Sequence, residues 1–357
     1  MAYDLTDKEP VTFYPEKDLR GFIETFLTTL GATAEEAEIV ADGVVTASLW
    51  YHPGQGQGVE KLLRYFNRIR NGGIIADAPM SWDRDGPSYA LLDAAKGFGY
   101  VAAQRAMLRA SEKAKATGLA VVWVRNSNHF GIAGYHALTA ANAGLIGWSM
   151  TNARAEMAPW GSAKPVLATN PWGLAVPYPG KERGPVLLDM ALTMSGKGMM
   201  RWYLEQGRAM PDTWALTPDG ERTTDPAAAM DGPVLPIGEY KGYGLSFFTD
   251  VFTGVMTGAK FGLDVFQDEN HYDVGHMMMA FDPTIFMTSE QFETRLTKLI
   301  AEVKSAPPID PSSPVLLPGD LEDERMQQRR KEGIPVSQET LQSLRPLAQE
   351  LGLEPLG

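Results

Sequence analysis

One histidine in the middle of the chain, His129, sits in Asn126-Ser127-Asn128-His129-Phe130-Gly131, where a β-branched run hands over to a helix-forming run. An imidazole at a strand's C-terminal edge, followed by glycine and a helix N-terminus, suits acid–base work beside an anion. Histidine titrates near neutrality, and the helix end adds positive potential. A capping or core histidine occupies such a position equally well, and both readings stand at this point. Thr151-Asn152-Ala153-Arg154 closes a second short strand in the same way, so its polar groups are expected to emerge near His129.

Two further residues carry a chemical implication. Asp189 lies inside the apolar run Leu187-Leu188-Asp189-Met190-Ala191, and a buried carboxylate must be paired or hydrogen-bonded. It could orient a histidine, accept from a ribose or satisfy backbone amides. Lys241, in Tyr240-Lys241-Gly242-Tyr243-Gly244, stands at a helix start, where a cation is disfavoured, so an anionic partner is implied. Ala158-Pro159-Trp160-Gly161 and Thr169-Asn170-Pro171 are rigid turns of the kind that line sites or simply connect elements.

Several chemistries are excluded. The chain has no cysteine, which removes disulfides, thiolate metal sites and cysteine nucleophiles. Gly54-Gln55-Gly56-Gln57-Gly58 has the wrong spacing for a dinucleotide fingerprint, and Gly196-Lys197-Gly198 lacks the rest of a phosphate loop. No nucleophile elbow or paired-histidine zinc motif occurs. His271 and His276, five apart, would fall on different faces of a helix, so no metal site is expected. A net charge of −12 disfavours nucleic acid and anionic membranes. An anionic small substrate would need a local basic pocket against that field. Met1–Pro10 has no signal-like apolar stretch, and a cytoplasmic protein is expected.

The elements that must position these groups are legible from periodicity. Leu19–Leu30 reads as a helix, and Thr33-Ala34-Glu35-Glu36 as a capping box opening a second helix that runs to Leu49. His52–Gly58 is a loop, and Val59–Arg70 a helix with Lys61, Arg64, Arg68 and Arg70 on a basic face. Helices over Tyr100–Lys115 and Ile132–Ala143 alternate with strands over Leu119–Val124 and Leu145–Met150. Pro171–Val176 and Val186–Met190 follow as strands. Asp212–Pro236 reads as a long ordered loop, Lys241–Thr257 as a helix, Met277–Phe281 as a strand and Ser289–Ser305 as a helix. After the extended Pro307–Pro318 come helices over Glu322–Lys331 and Gln338–Leu351. The alternation predicts an α/β core.

Taken together, Asn126–Gly134, Thr151-Asn152, Ala158–Gly161, Thr169–Pro171, Leu188–Ala191, Pro236–Gly244 and Leu317-Pro318-Gly319-Asp320 occur in family order over nearly the whole chain. The sequence resembles the malate/L-lactate dehydrogenase type 2 family, also called the L-sulfolactate dehydrogenase-like family. Leu235–Lys241 and Met190–Met194 are most similar to its 2,3-diketo-L-gulonate reductase branch. The resemblance implies a non-Rossmann α/β fold: a central mixed sheet with flanking helices and helical N- and C-terminal segments. It implies a discontinuous helical substrate and dimer domain (1–80 plus 306–357) and an α/β cofactor-binding domain (81–305). It further implies a homodimer using NADH or NADPH on 2-keto acids, keto-sugar acids or cyclic imines. Cofactor contacts implied are His129, Phe130, Gly131, Asp189, Met190, Ala191, Tyr240, Lys241, Gly319 and Asp320.

The N-terminal loop departs from the family pattern. Where members carry Ser-His-Gly and then Val-x-Arg-Leu, this chain reads Gly56-Gln57-Gly58-Val59-Glu60-Lys61-Leu62. Gln57 replaces the histidine assigned as proton donor, and glutamine does not release a proton near neutral pH. Three readings follow: His52 or His129 supplies the proton; Gln57 orients the carbonyl while another group protonates it; or the chain binds cofactor without dehydrogenase activity. Lys61, Asn152 and Arg154 are the candidates for the substrate. Lys61 stands in place of an arginine, a point charge in place of a rigid fork.

Overall fold

The computed structural model describes residues 11–180, 183–268 and 270–356, so the Met1–Pro10 segment read above lies outside the described residues. Strand β1 (Val11–Tyr14) leads into helices α1 (Glu16–Thr29) and α2 (Ala34–Trp50), and α3 (Leu62–Arg70) follows the glycine-rich loop. Then come β2 (Ser81–Asp85), β3 (Tyr89–Asp93), α4 (Gly99–Thr117), β4 (Leu119–Ser127), α5 (Ala133–Asn142) and β5 (Ile146–Thr151). Strands β6 (Trp172–Val176) and β7 (Val186–Met190) precede α6 (Lys197–Glu205), α7 (Pro226–Asp231) and α8 (Tyr240–Asp250). The chain ends with β8 (Val274–Phe281), α9 (Ser289–Lys304), α10 (Asp320–Glu332), β9 (Ile334–Ser337) and α11 (Gln338–Glu350).

Seven strands form the central sheet in the order β2-β3-β4-β8-β5-β6-β7. Only β3 and β4 run parallel; every other neighbouring pair is antiparallel. This is a mixed sheet without the parallel βαβ repeat of a Rossmann domain, which accounts for the missing glycine fingerprint. Strand β8 is inserted between β4 and β5, and its Met277, Met278 and Ala280 are buried. Helix α4 lies on β4 and β8 with Ala102, Ala103, Ala106, Ala110 and Ala114 all buried, small side chains that let helix and sheet approach closely. At the opposite end, β1 pairs antiparallel with β9, tying the N- and C-terminal helical segments together.

Local sequence explains the helix ends that matter. Thr33 and Glu36 form the expected capping box on α2. The helix expected from Val59 begins instead at Leu62, because Val59–Lys61 is a 3₁₀ turn entered from Gly58. A Cβ at Gly58 would press on Ser48 Oγ, so the close approach favours glycine there. The helix expected over Lys241–Thr257 stays α-helical only to Asp250. It then widens into a π turn, Val251–Val255, where Thr253 and Thr257 bond back to the carbonyls of Thr249 and Thr253. Strands β1, β2, β3 and β9 and helices α6 and α7 were not expected. Short, exposed or glycine-flanked segments carry too little periodicity to announce themselves. Among the described residues no helix is long and apolar enough to cross a membrane.

Candidate active site

The segment from Asn126 to Gly131 is held at nearly every polar atom. Asn126 adopts φ 53°, its amide donates to Asp273 Oδ1 (2.8 Å), its Nδ2 to Asp93 Oδ1 (2.8 Å), and its Oδ1 lies 2.9 Å from His271 Nε2. Ser127 Oγ is 2.9 Å from His276 Nε2, whose Nδ1 is 2.7 Å from Thr151 Oγ1. Asn128 accepts from buried Arg68 (2.7 Å) and donates to the carbonyls of Lys96 and Gly97. Phe130 is buried and stacks on His276, ring centroids 4.8 Å apart. Burial lowers His276 to about 3 and His136 to about 4, so both imidazoles stay neutral. His271 and His276 thus do not share a helix: one lies in a loop on Asn126, the other on β8 in the core.

His129 itself is half-buried and differently placed. Its Nδ1 receives the Gly131 amide (3.3 Å) and sits 3.2 Å from Tyr65 Oη. A backbone N–H only donates, so Nδ1 is the acceptor, Tyr65 also donates to it, and the ring proton resides on Nε2. Burial keeps the Tyr65 hydroxyl protonated, and burial with the charges of Lys61 and Arg64 holds His129 well below its usual value. The outcome is a neutral imidazole whose Nε2–H has no acceptor among the described residues. Gly131 adopts φ 82° beneath the Tyr100 ring, which leaves no room for a Cβ. Tyr65→Phe is expected to lower kcat/KM about five- to tenfold, since one orienting hydrogen bond is worth roughly 1 kcal/mol. Unchanged kcat/KM in steady-state assays would remove this role for Tyr65.

Lys61, one turn before Arg64 and Tyr65, is 9% exposed. Among the described residues its ammonium has no hydrogen bond or ion pair. Burial, then Arg64, lowers its pKa to about 7, against the attraction of Glu60 and Glu156. Arg201 on α6 also acts on it, while Lys197 shares Glu156 and is pushed by Arg154. The exposed Arg64, Arg154 and Arg201 make no ion pair among the described residues. Gln57 Oε1 is buried without a hydrogen-bond partner. His52 accepts the Gly54 amide on Nδ1 (3.0 Å), and its ring stands edge-on to Trp202 of α6 at 4.7 Å.

The segments expected around a cofactor converge on β7. Asp189 Oδ2 accepts from Tyr51 Oη (2.5 Å) and Oδ1 from the Gly134 amide (2.7 Å), bridging α2, α5 and the sheet. Of the roles read for Asp189, satisfying a backbone amide is the observed one. Asp189 thus takes one amide of the helix N-terminus that follows Gly131. Past β7, Ile237 N donates to Leu192 O (3.0 Å), which brings Met190-Ala191 to the exposed Tyr240 and Lys241. Leu187 N donates to Pro318 O (3.2 Å), which brings in Gly319-Asp320. The Asp320 carboxylate is taken by Arg183 and by Lys304 (3.1 Å), and Phe130 faces the core. Both side chains are thus engaged within the fold, Asp320 in ion pairs and Phe130 in the core. Asn152 corrects the substrate expectation: it is buried, with Nδ2 on Lys260 O (2.7 Å) and Oδ1 on Gly275 N (3.0 Å).

A family model described as malate/L-lactate dehydrogenase matches residues 14–345. The chain belongs to that family. A malate dehydrogenase from Pyrococcus abyssi is 38% identical over 351 residues, covering 96% of each chain. An L-sulfolactate dehydrogenase from Methanothermobacter thermautotrophicus is 36% identical, over 95% of this chain and 97% of that one. The solved malate dehydrogenase structure from Pyrococcus horikoshii superposes with a TM-score of 0.89 at 35% identity, over 98% of this chain and 99% of that one. This malate/L-lactate dehydrogenase family member is therefore an oxidoreductase with the non-Rossmann fold expected from the resemblance. The imine-reductase and activity-free alternatives are not favoured by these relatives. Sequence reasoning missed Arg64 and Tyr65 as site residues, although both fall one helical turn from Lys61. It missed Lys197 and Arg201 because glycines at 196 and 198 hide α6, and nothing in the sequence announces Tyr51 as the partner of Asp189.

Proposed function

We propose that this protein interconverts a small 2-keto acid dianion and its 2-hydroxy acid with NADH or NADPH. The observation that carries the reading is the neutral Nε2–H of His129 close to the charges of Lys61 and Arg64, with Arg201 acting on Lys61 and Arg154 on Lys197. Of these cations, Lys61, Arg64, Arg154 and Arg201 have no ion pair among the described residues. In a chain of net charge −12, such a basic pocket answers the need of an anionic substrate. The residues present fit a nicotinamide dinucleotide: His129 Nε2–H lacks an acceptor, and exposed Lys241 with Tyr240 offers a cation and a ring beside Met190-Ala191. Bound, the reduced nicotinamide supplies the hydride. His129 Nε2–H polarises an oxygen at the reacting end, and the fork of an arginine receives a carboxylate. Phe247, Phe248, Phe252, Val255 and Met256 form an exposed apolar stripe on α8 and the π turn. The stripe supports a homodimer, and the composition supports a cytoplasmic setting.

The test is a panel of 2-keto acids assayed with both reduced cofactors. Oxaloacetate or sulfopyruvate is expected to exceed pyruvate in kcat/KM by roughly tenfold or more, the worth of one charge-assisted hydrogen bond. No fluorescence change on titrating NADH or NADPH, and no turnover with any keto acid, would sink the proposal.

A further inference from the structure

We propose that Lys61 is the proton donor of the reduction, its Nζ delivering the proton to the substrate oxygen while the neighbouring arginines hold the carboxylate. The inference rests on the dehydrogenase reading above. Geometry removes the other candidates. Gln57 ends in an amide whose buried Oε1 is an acceptor only. His129 accepts on Nδ1 from Gly131 and Tyr65, so losing its Nε2 proton would leave an imidazolate; it polarises but does not protonate. His52 likewise accepts on Nδ1, from the Gly54 amide, so its proton lies on Nε2 and its loss would leave an imidazolate; its ring is edge-on to Trp202 of α6.

Lys61 differs from all three. It is 9% exposed, its ammonium is unpartnered among the described residues, and its charge reaches His129. The charges that act on it come from four segments: Glu60 from its own turn, Arg64 from α3, Glu156 from the segment after β5, and Arg201 from α6; α2 and α11, which also pack on this turn, add none to these. Burial and the two arginines bring it to about 7, so both protonation states are available at neutral pH, as a group that gives and retakes a proton requires.

The step balances. Hydride arrival forms the C–H bond and breaks the carbonyl π bond, whose electron pair stays on oxygen. A Lys61 N–H bond then breaks, its proton forms the O–H bond, and its electron pair remains on a neutral amine that regains a proton from water. The keto carbon is reduced and the nicotinamide oxidised. In the reverse direction the neutral amine is the base.

Lys61→Arg separates donor from anchor, because arginine keeps the charge but does not titrate. The expected result is a fall in kcat of about 100-fold or more, with KM changed by less than about threefold. The wild-type decline of reductive kcat as pH rises through about 7 is expected to vanish in this variant. Lys61→Met loses kcat at least as far. Lysine side-chain NMR on the full chain without substrate gives an independent reading: one lysine titrates near neutrality and is absent from Lys61→Arg. Wild-type kcat in Lys61→Arg, persistence of the pH limb, or every lysine titrating at about 10 would overturn the proposal. Absence of turnover by the wild type with any 2-keto acid defeats the dehydrogenase reading instead, and is distinguished because the lysine titration needs no substrate.

Discussion

Lys61→Met is expected to raise the protein's stability while removing its turnover. A buried ammonium that the fold brings to about 7 is a charge the folded state would rather lose, by roughly 1.4 kcal/mol per unit below the ordinary lysine value. Below about pH 7 both folded and unfolded chains hold the proton, and the folded state bears the full cost. As pH rises from there toward about 10, the folded state releases the proton first, and the cost fades. Methionine is close in length and apolar, so it fills the same space. It also removes the positive charge whose field favours ionised Glu60, whose Oε1 keeps the Gly58 amide (2.8 Å), which offsets part of the gain. The net expectation is about 2–4 kcal/mol at pH 6.5, shrinking toward zero near pH 10. Chemical denaturation at both pH values checks it. Destabilisation at pH 6.5, or an equal gain at both, would show that Lys61 is not a strained charge. Function held at the expense of stability is the pattern of an active-site residue.

Asp189→Ala is expected to be the most damaging substitution near the site, costing about 3–5 kcal/mol. Its carboxylate serves Tyr51 from α2 and Gly134 at the start of α5, and alanine leaves both donors buried without an acceptor, at about 1–3 kcal/mol each. Asp189→Asn preserves the shape and an acceptor, and its pH dependence carries the sharper information. Burial raises the Asp189 carboxyl to about 6, against the hydrogen bonds from Tyr51 and Gly134. The folded chain therefore keeps a proton that the unfolded chain releases near pH 4. Its contribution to stability is full below about pH 4 and is lost as pH rises through about 6. Asparagine mimics the protonated form at all pH values. Measured against wild type, Asp189→Asn is thus expected to gain about 3 kcal/mol between pH 4 and pH 7. A difference that does not vary with pH would place the carboxyl's pKa at its ordinary value.

Much of this protein was legible from its residues in order. The capping box at Thr33, the helices of the N-terminal hairpin and the strands ending near Asn126 and Thr151 follow from local rules: side-chain periodicity, capping chemistry and turn residues act over a few positions. The ordered motifs from Asn126 to Asp320 carried the family resemblance, and the Gln57 and Lys61 departures were visible by eye. Which groups face one another was not. Strand β8 reaches its place between β4 and β5 from more than a hundred residues away, and no local pattern encodes that pairing. The second hydrogen bond on His129 Nδ1 comes from Tyr65 of α3, 64 positions away. Asn152 and Phe130, polar and aromatic residues at motif positions, proved to serve the core. The charge state of Lys61 is the clearest case. The sequence shows a lysine where an arginine is expected, but only packing removes its water and surrounds it with Arg64, Arg201 and His129, because desolvation and like-charge repulsion are properties of three-dimensional neighbourhood.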